Sequence, residues 1–173
     1  MFDNIFKLFI QSLAYSEKAE CLVQITSRAD QRIKLQKSIS KFISSLTTPS
    51  VARTLVLALD ECINNAYEHG NLELTNREKN KFLSEEKLET ELHQRERKFG
   101  NRLIVINFTL KKNVLRISIA DEGKGFDWKN QNTNPSQDAL HGRGLSIVKA
   151  VFDKLTYNDS GNICLVEKEL PPA

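Results

Sequence analysis

Residues 59–71 read Leu59-Asp60-Glu61-Cys62-Ile63-Asn64-Asn65-Ala66-Tyr67-Glu68-His69-Gly70-Asn71, and the fold turns on how they are placed. Counted from Leu55 at about 100° per residue, Leu55, Val56, Leu59, Cys62, Ile63, Ala66 and Tyr67 form one continuous apolar arc. Glu61, Asn65 and Glu68 fall on a second arc roughly opposite. Glu61 and Asn65 are separated by one helical turn, so a carboxylate and a carboxamide are neighbours on one face. The amide oxygen can ligate Mg²⁺ without adding charge, and the carboxylate can accept a proton or hold a water. The same pair also reads as an ordinary hydrogen-bonded polar face. Thr47-Thr48-Pro49-Ser50 opens this helix, which is expected to run to about His69 and end at Gly70.

Two glycine-bearing segments follow. Asp121-Glu122-Gly123-Lys124-Gly125-Phe126-Asp127 leaves an apolar strand. Its glycines permit close approach of backbone to a ligand, and Asp121 offers an acceptor to an exocyclic amine such as that of adenine. His141-Gly142-Arg143-Gly144-Leu145-Ser146-Ile147-Val148 opens an amphipathic helix expected over about 144–154. Free N–H groups and the helix dipole make such a start a phosphate site, and Arg143 adds a charged donor. Each segment alone also reads as a plain turn or helix start. No G-x-x-x-x-G-K-[ST] loop and no H-R-D or D-F-G set is present, which excludes a P-loop enzyme and a eukaryotic-type kinase.

The rest of the chain supplies a core. Phe2, Ile5, Phe6, Phe9 and Leu13 predict a short amphipathic helix over 2–13, an arm of residues 1–18 ahead of a main domain over 19–173. Cys21 to Thr26 reads as a strand. Ser27 with Asp30 resembles a capping box before a helix carrying Leu35, Ile39, Phe42, Ile43 and Leu46. Residues 73–98 hold seven acidic and seven basic residues and few apolar ones, a solvated helical insertion spanning about 73–100. Ile104, Ile106, Phe108 and Leu110, then Leu115, Ile117 and Ile119, alternate with polar partners as a hairpin around Lys111-Lys112-Asn113. After a polar loop over 129–140 and the last helix, a second hairpin turns at residues 158–162. These elements give an α+β, two-layer sandwich with a mixed, mostly antiparallel sheet and helices on one face.

Composition narrows the function classes. The 173 residues carry a formal charge of +3, too weak a bias to indicate a nucleic-acid partner. No apolar run is long enough for a membrane span, and the start lacks the early positive charge of a secretion signal, so a cytoplasmic setting is expected. Cys21, Cys62 and Cys164 are widely spaced, with no C-x-x-C, which does not read as a disulfide framework or a zinc site.

Taken in order, ECINNAYEHGN, DEGKGFD and HGRGLSIVKAVFD resemble the N-box and the two glycine boxes of the GHKL (histidine kinase-like, Bergerat-type) ATPase superfamily. Within it, the chain is most similar to bacterial anti-sigma-factor serine kinases, over roughly residues 20–170. The resemblance implies ATP and Mg²⁺, with Asn65 holding the metal and Glu61 as general base toward a serine hydroxyl. It implies that Asp121 binds the adenine amine and that Gly123, Gly125 and Phe126 shape its pocket. His69 also belongs to the implied nucleotide site, and Gly142, Arg143, Gly144 and Leu145 form a lid over the phosphates. The implied partners are an anti-anti-sigma protein of the STAS type as substrate, a sigma factor and a second copy of the chain. The alternative is a non-catalytic, nucleotide-gated module that sequesters a regulatory partner. The family's usual Gly-Thr before the last strand is replaced here by Gly161-Asn162. Histidine-kinase activity is not implied: of the three histidines, His69 and His141 sit in nucleotide motifs and His93 in the charged insertion.

Overall fold

A computed structural model describes residues 1–128 and 143–171, apart from the Arg143 side chain. The expected polar loop over 129–140, His141 and Gly142 lie outside the described residues. Among the described residues, six α-helices and five strands follow in the order α1 Phe2–Leu13, β1 Lys18–Thr26, α2 Ala29–Ser44, α3 Pro49–Asn64, α4 Asn76–Ser84, α5 Leu88–Phe99, β2 Leu103–Lys111, β3 Val114–Asp121, α6 Arg143–Val151, β4 Lys154–Tyr157 and β5 Ile163–Glu169. The sheet order is β1-β2-β3-β5-β4, and every pairing is antiparallel, so the parallel component of a mixed sheet is absent among the described residues.

The register explains how the site is positioned. Strand side chains alternate between faces, so residues paired across strands form rows. One inward row runs Val23–Ile106–Ile119–Cys164–Tyr157, and a second runs Cys21–Phe108–Ile117–Val166–Leu155. Asp121 pairs with Ile104, which places its carboxylate on the same inward face. α1, α2, α3 and α6 form the helical side of the fold. The opposite face carries Lys18, Glu20, Leu22 and Gln24 of β1, all exposed.

α1 packs on β1 and α2. Phe6 stacks on Phe42 at 4.4 Å between ring centroids and meets Phe108 edge-on at 5.3 Å. Such offset and edge contacts add to the burial of the rings themselves.

Two local readings are corrected. Ser27 does not cap α2. It is buried, its Oγ accepts a hydrogen bond from Asn71 Nδ2 at 2.7 Å, and Arg28 occupies the cap position. The Ala29 N–H at the start of α2 donates instead to Glu96 Oε1 of α5, so a distant carboxylate takes the role of the local cap. The helix through 49–70 also changes form. It is α-helical to Asn64 and then continues as a π-helix over Asn65–Asn71, with Leu72 N–H donating to the Tyr67 carbonyl at 2.9 Å. The wider turn carries Asn71 inward, whereas the α-helical period leaves it off the apolar arc.

The insertion forms two helices rather than a continuous one, and neither contains a fully buried residue. Its solvated character follows from composition, and it is fixed at specific points. Thr75 and Glu78 make a reciprocal capping box at the start of α4. Arg95 donates to the carbonyls of Leu72 and Glu73 and pairs with Glu78 and Glu91.

Candidate active site

A cavity of about 1650 Å³ opens between α3, the π-helix, the ends of β3 and β5, and α4. Glu61, Asn65, His69, Asp121, Gly125, Phe126, Gly144 and Leu145 all line it, so residues from all three sequence motifs meet around one space. Gly123 stands just behind, its N–H donating to Asp121 Oδ1 at 2.8 Å. Arg143 opens α6, but its side chain and Gly142 lie outside the described residues.

The Asp121 carboxylate is half-buried beneath the helices. Burial pushes its pKa from 3.8 up to about 6, against the opposing pull of the Gly123 N–H and the Arg102 charge. Gly70 is required here by space: a side-chain carbon on it would overlap the Asp121 carboxylate. The Asp121 backbone is clamped by Asn162, whose carbonyl accepts from Asp121 N–H and whose Nδ2 donates to the Asp121 carbonyl, both at 3.0 Å. Asn158 holds that turn by accepting from the N–H groups of Asn162 and Ile163. The departure from Gly-Thr is thus occupied by an asparagine that fixes the main chain of Asp121.

The other end of the cavity is set by Glu61 and Asn65. A side-chain carbon at Gly144 would overlap Glu61 Oε2, so the start of α6 approaches this carboxylate as closely as a glycine allows. The donor set fits magnesium arriving on a phosphate chain: a carboxamide oxygen and a carboxylate lie on one face, and Mg²⁺ commonly takes one or two protein groups plus phosphates and waters. Among the described residues no group of three His, Cys, Asp or Glu side chains forms a metal cage. His69 is anchored, its Nδ1 hydrogen-bonded to the Leu74 carbonyl.

The sequence and the geometry converge on one assignment. A family model described as a histidine kinase-like ATPase domain matches residues 25–168. The chain belongs to the histidine kinase-like ATPase domain family. Membership implies an ATP site, and the cavity just described is lined by residues from all three segments that resemble the family's motifs. Among solved structures, the RsbU and RsbW domains of Rv1364c from Mycobacterium tuberculosis superpose with a TM-score of 0.50 at 13% identity. The match covers 89% of this chain and 33% of that one, so the chain spans about a third of its structural relative. The likeness establishes a shared fold. No protein of curated function matches the sequence.

Several residues of this ATPase domain were not legible beforehand. Asn71, fully buried, donates to Ser27 Oγ and to the Leu103 carbonyl at 2.9 Å and accepts from Glu122 N–H at 2.7 Å, tying the π-helix to both strands at the open end of the β2–β3 hairpin. Its place at the end of the quoted motif is the one available signal. Lys79 of α4 lines the cavity and pairs with Glu68 of the π-helix, so the insertion contributes a wall. Cys62 and Cys164, distant in sequence, both line the cavity, and each thiol perturbs the other.

Proposed function

We propose that this ATPase domain is a protein serine/threonine kinase that uses Mg-ATP to phosphorylate a STAS-type anti-anti-sigma protein, and that it acts as an anti-sigma factor. The observation that carries the reading is the meeting of Glu61, Asn65 and the start of α6 at one end of a cavity whose other end holds a half-buried Asp121. Asp121 would accept from the adenine amine, and the N–H groups at the start of α6 would receive the phosphates. Mg²⁺, held by the Asn65 carboxamide oxygen, would neutralise charge on the phosphate oxygens. Glu61 takes the proton of the partner's hydroxyl as its oxygen attacks the γ-phosphorus. The bond from that phosphorus to the bridging oxygen breaks, and ADP carries away the electron pair. Positioning and charge stabilisation supply most of the acceleration.

A cytoplasmic setting belongs to this reading; no helix among the described residues is long and apolar enough to cross a membrane. The sigma factor and a second copy of the chain are the further partners in this reading, and nucleic acid is not.

The test is calorimetric binding of ATP, with and without Mg²⁺, to wild type, Asn65→Ala and Asp121→Ala, followed by transfer of labelled γ-phosphate to the STAS-type proteins of the same cell. Magnesium-dependent binding weakened by both substitutions, with transfer abolished by Glu61→Gln, is the expected result. Transfer unchanged in Glu61→Gln removes the base assignment. Tight ATP binding with no transfer favours the nucleotide-gated module.

A further inference from the structure

We propose that Cys62 and Cys164 form an oxidation site at the nucleotide cavity, closing to a reversible disulfide that lowers affinity for ATP. Three observations on independent elements support it. Cys62 projects from α3 one residue after Glu61, and Cys164 stands on β5 opposite both Ile119 and Tyr157 in the inward row that leads to the cavity. Both cysteines line the cavity, Cys62 buried and Cys164 partly accessible. Tyr157 is the cross-strand partner of Cys164 on β4, and the two thiols lie close enough to perturb each other.

The pair is asymmetric in the way a sensor needs. Cys62 is buried while Cys164 is partly accessible, and the neighbouring Cys62 and Tyr157 side chains hold the Cys164 thiol below its ordinary range. An accessible thiol biased toward thiolate, beside a resolving thiol, is the arrangement that oxidises selectively. With a hydroperoxide as oxidant, the Cys164 thiolate attacks the terminal oxygen and the O–O bond breaks. A sulfenic acid forms, and with hydrogen peroxide the leaving hydroxide takes a proton to become water. Cys62 sulfur then attacks the sulfenic sulfur and expels hydroxide, which takes the Cys62 proton. Two thiols and one peroxide give one disulfide and two waters, two electrons passing from sulfur to oxygen. The third cysteine, Cys21, lies on β1 opposite Phe108, remote from this pair in the sheet order, and is pushed up by burial.

Closing the two thiols to a bond of about 2.05 Å draws α3 toward β5. α3 carries Glu61, and Asn162 beside Cys164 clamps Asp121, so both ends of the cavity move together. The effect on ATP rests on the nucleotide site proposed above; formation of the disulfide does not.

The experiment treats the whole chain with hydrogen peroxide, as wild type, Cys21→Ser, Cys62→Ser and Cys164→Ser. Intact mass and peptide mapping follow the thiols, and calorimetry follows ATP before and after dithiothreitol. The expected result is a loss of about 2 Da with residues 62 and 164 cross-linked in wild type and Cys21→Ser, absent in the other two. ATP affinity falls at least about tenfold on oxidation and returns with dithiothreitol, and bound ATP slows the cross-link by linkage. Peroxide leaves the affinities of Cys62→Ser and Cys164→Ser where they stood. No cross-link, or prior oxidation of Cys21, overturns the site. A cross-link with unchanged affinity overturns the gating. A cross-link in a protein whose reduced form binds no ATP keeps the thiol chemistry and rejects the nucleotide reading instead.

Discussion

Replacing Asp121 by asparagine should stabilise the ligand-free protein while removing its grip on ATP. Burial raises the Asp121 pKa from 3.8 to about 6. That shift of about two units corresponds to roughly 3 kcal/mol of preference for the protonated form. The side chain is only half-buried, so solvent screening cuts the figure to about 1.5 kcal/mol. The sign follows from proton binding. Between the ordinary and the raised pKa the folded state holds more protons than the unfolded one, so stability falls as pH rises from about 4 through about 6. Above that range the full cost of the buried charge is present. Asparagine keeps the volume and the oxygen that accepts from Gly123 N–H, and it carries no charge. Urea unfolding of both proteins at pH 4, 6 and 7.5 should therefore show a gap near zero at the lowest pH, growing to about 1.5 kcal/mol in favour of the variant. ATP affinity at pH 7.5 should fall more than about tenfold, because an amide nitrogen or neutral oxygen cannot replace the charged acceptor. A variant less stable than wild type at pH 7.5, or a gap that ignores pH, refutes the reasoning.

Four further outcomes are expected. Asn71→Ala strands the Leu103 carbonyl, Ser27 hydroxyl and Glu122 N–H, and should cost about 3 kcal/mol in chemical denaturation; a loss under about 1 kcal/mol would contradict the bonding described. Phe42→Ala empties the space between Phe6, Phe9 and Phe108 and should cost about 3–5 kcal/mol, with faster amide exchange in α1 as the specific sign that this helix has lost its seat. Gly144→Ala suits a helix but drives a methyl onto Glu61; phosphotransfer should drop at least tenfold, about 1.4 kcal/mol, with the melting temperature preserved, and an unaltered rate refutes the contact. Glu96→Ala removes the acceptor of both Ala29 N–H and the Tyr67 hydroxyl and should lower stability by about 1–2 kcal/mol, whereas a surface position would show almost none.

Local patterning made the secondary structure readable, because strands Leu103–Lys111 and Val114–Asp121 alternate cleanly and α3 presents an unbroken apolar arc. Spacing also put Glu61 and Asn65 on one helix face, whereas the grouping of the glycine-bearing segments with them came from the family resemblance. What the chain hid were partnerships between elements. Ser27 looks like a cap because a cap is a local device, yet its hydroxyl accepts from Asn71 at the end of the π-helix that continues α3. Glu96 sits among five other charged residues of α5 and carries no mark of its role at the start of α2. The change from α to π at Asn65 depends on where Asn71 must reach, which periodicity alone does not encode.

The insertion has an evolutionary consequence. α5 is tied down through Arg95, Glu96 and the aromatic face of Phe99 under Arg102, while α4 and the tip between the two helices bury nothing fully. Substitutions on such exposed helices cost within about half a kcal/mol, so drift there goes almost unopposed by the demands of folding. Yet Lys79, Asn80 and Lys81 of α4 line the cavity. One wall of the pocket can therefore change its exposed side chains at little folding cost, whereas the buried floor beneath it cannot.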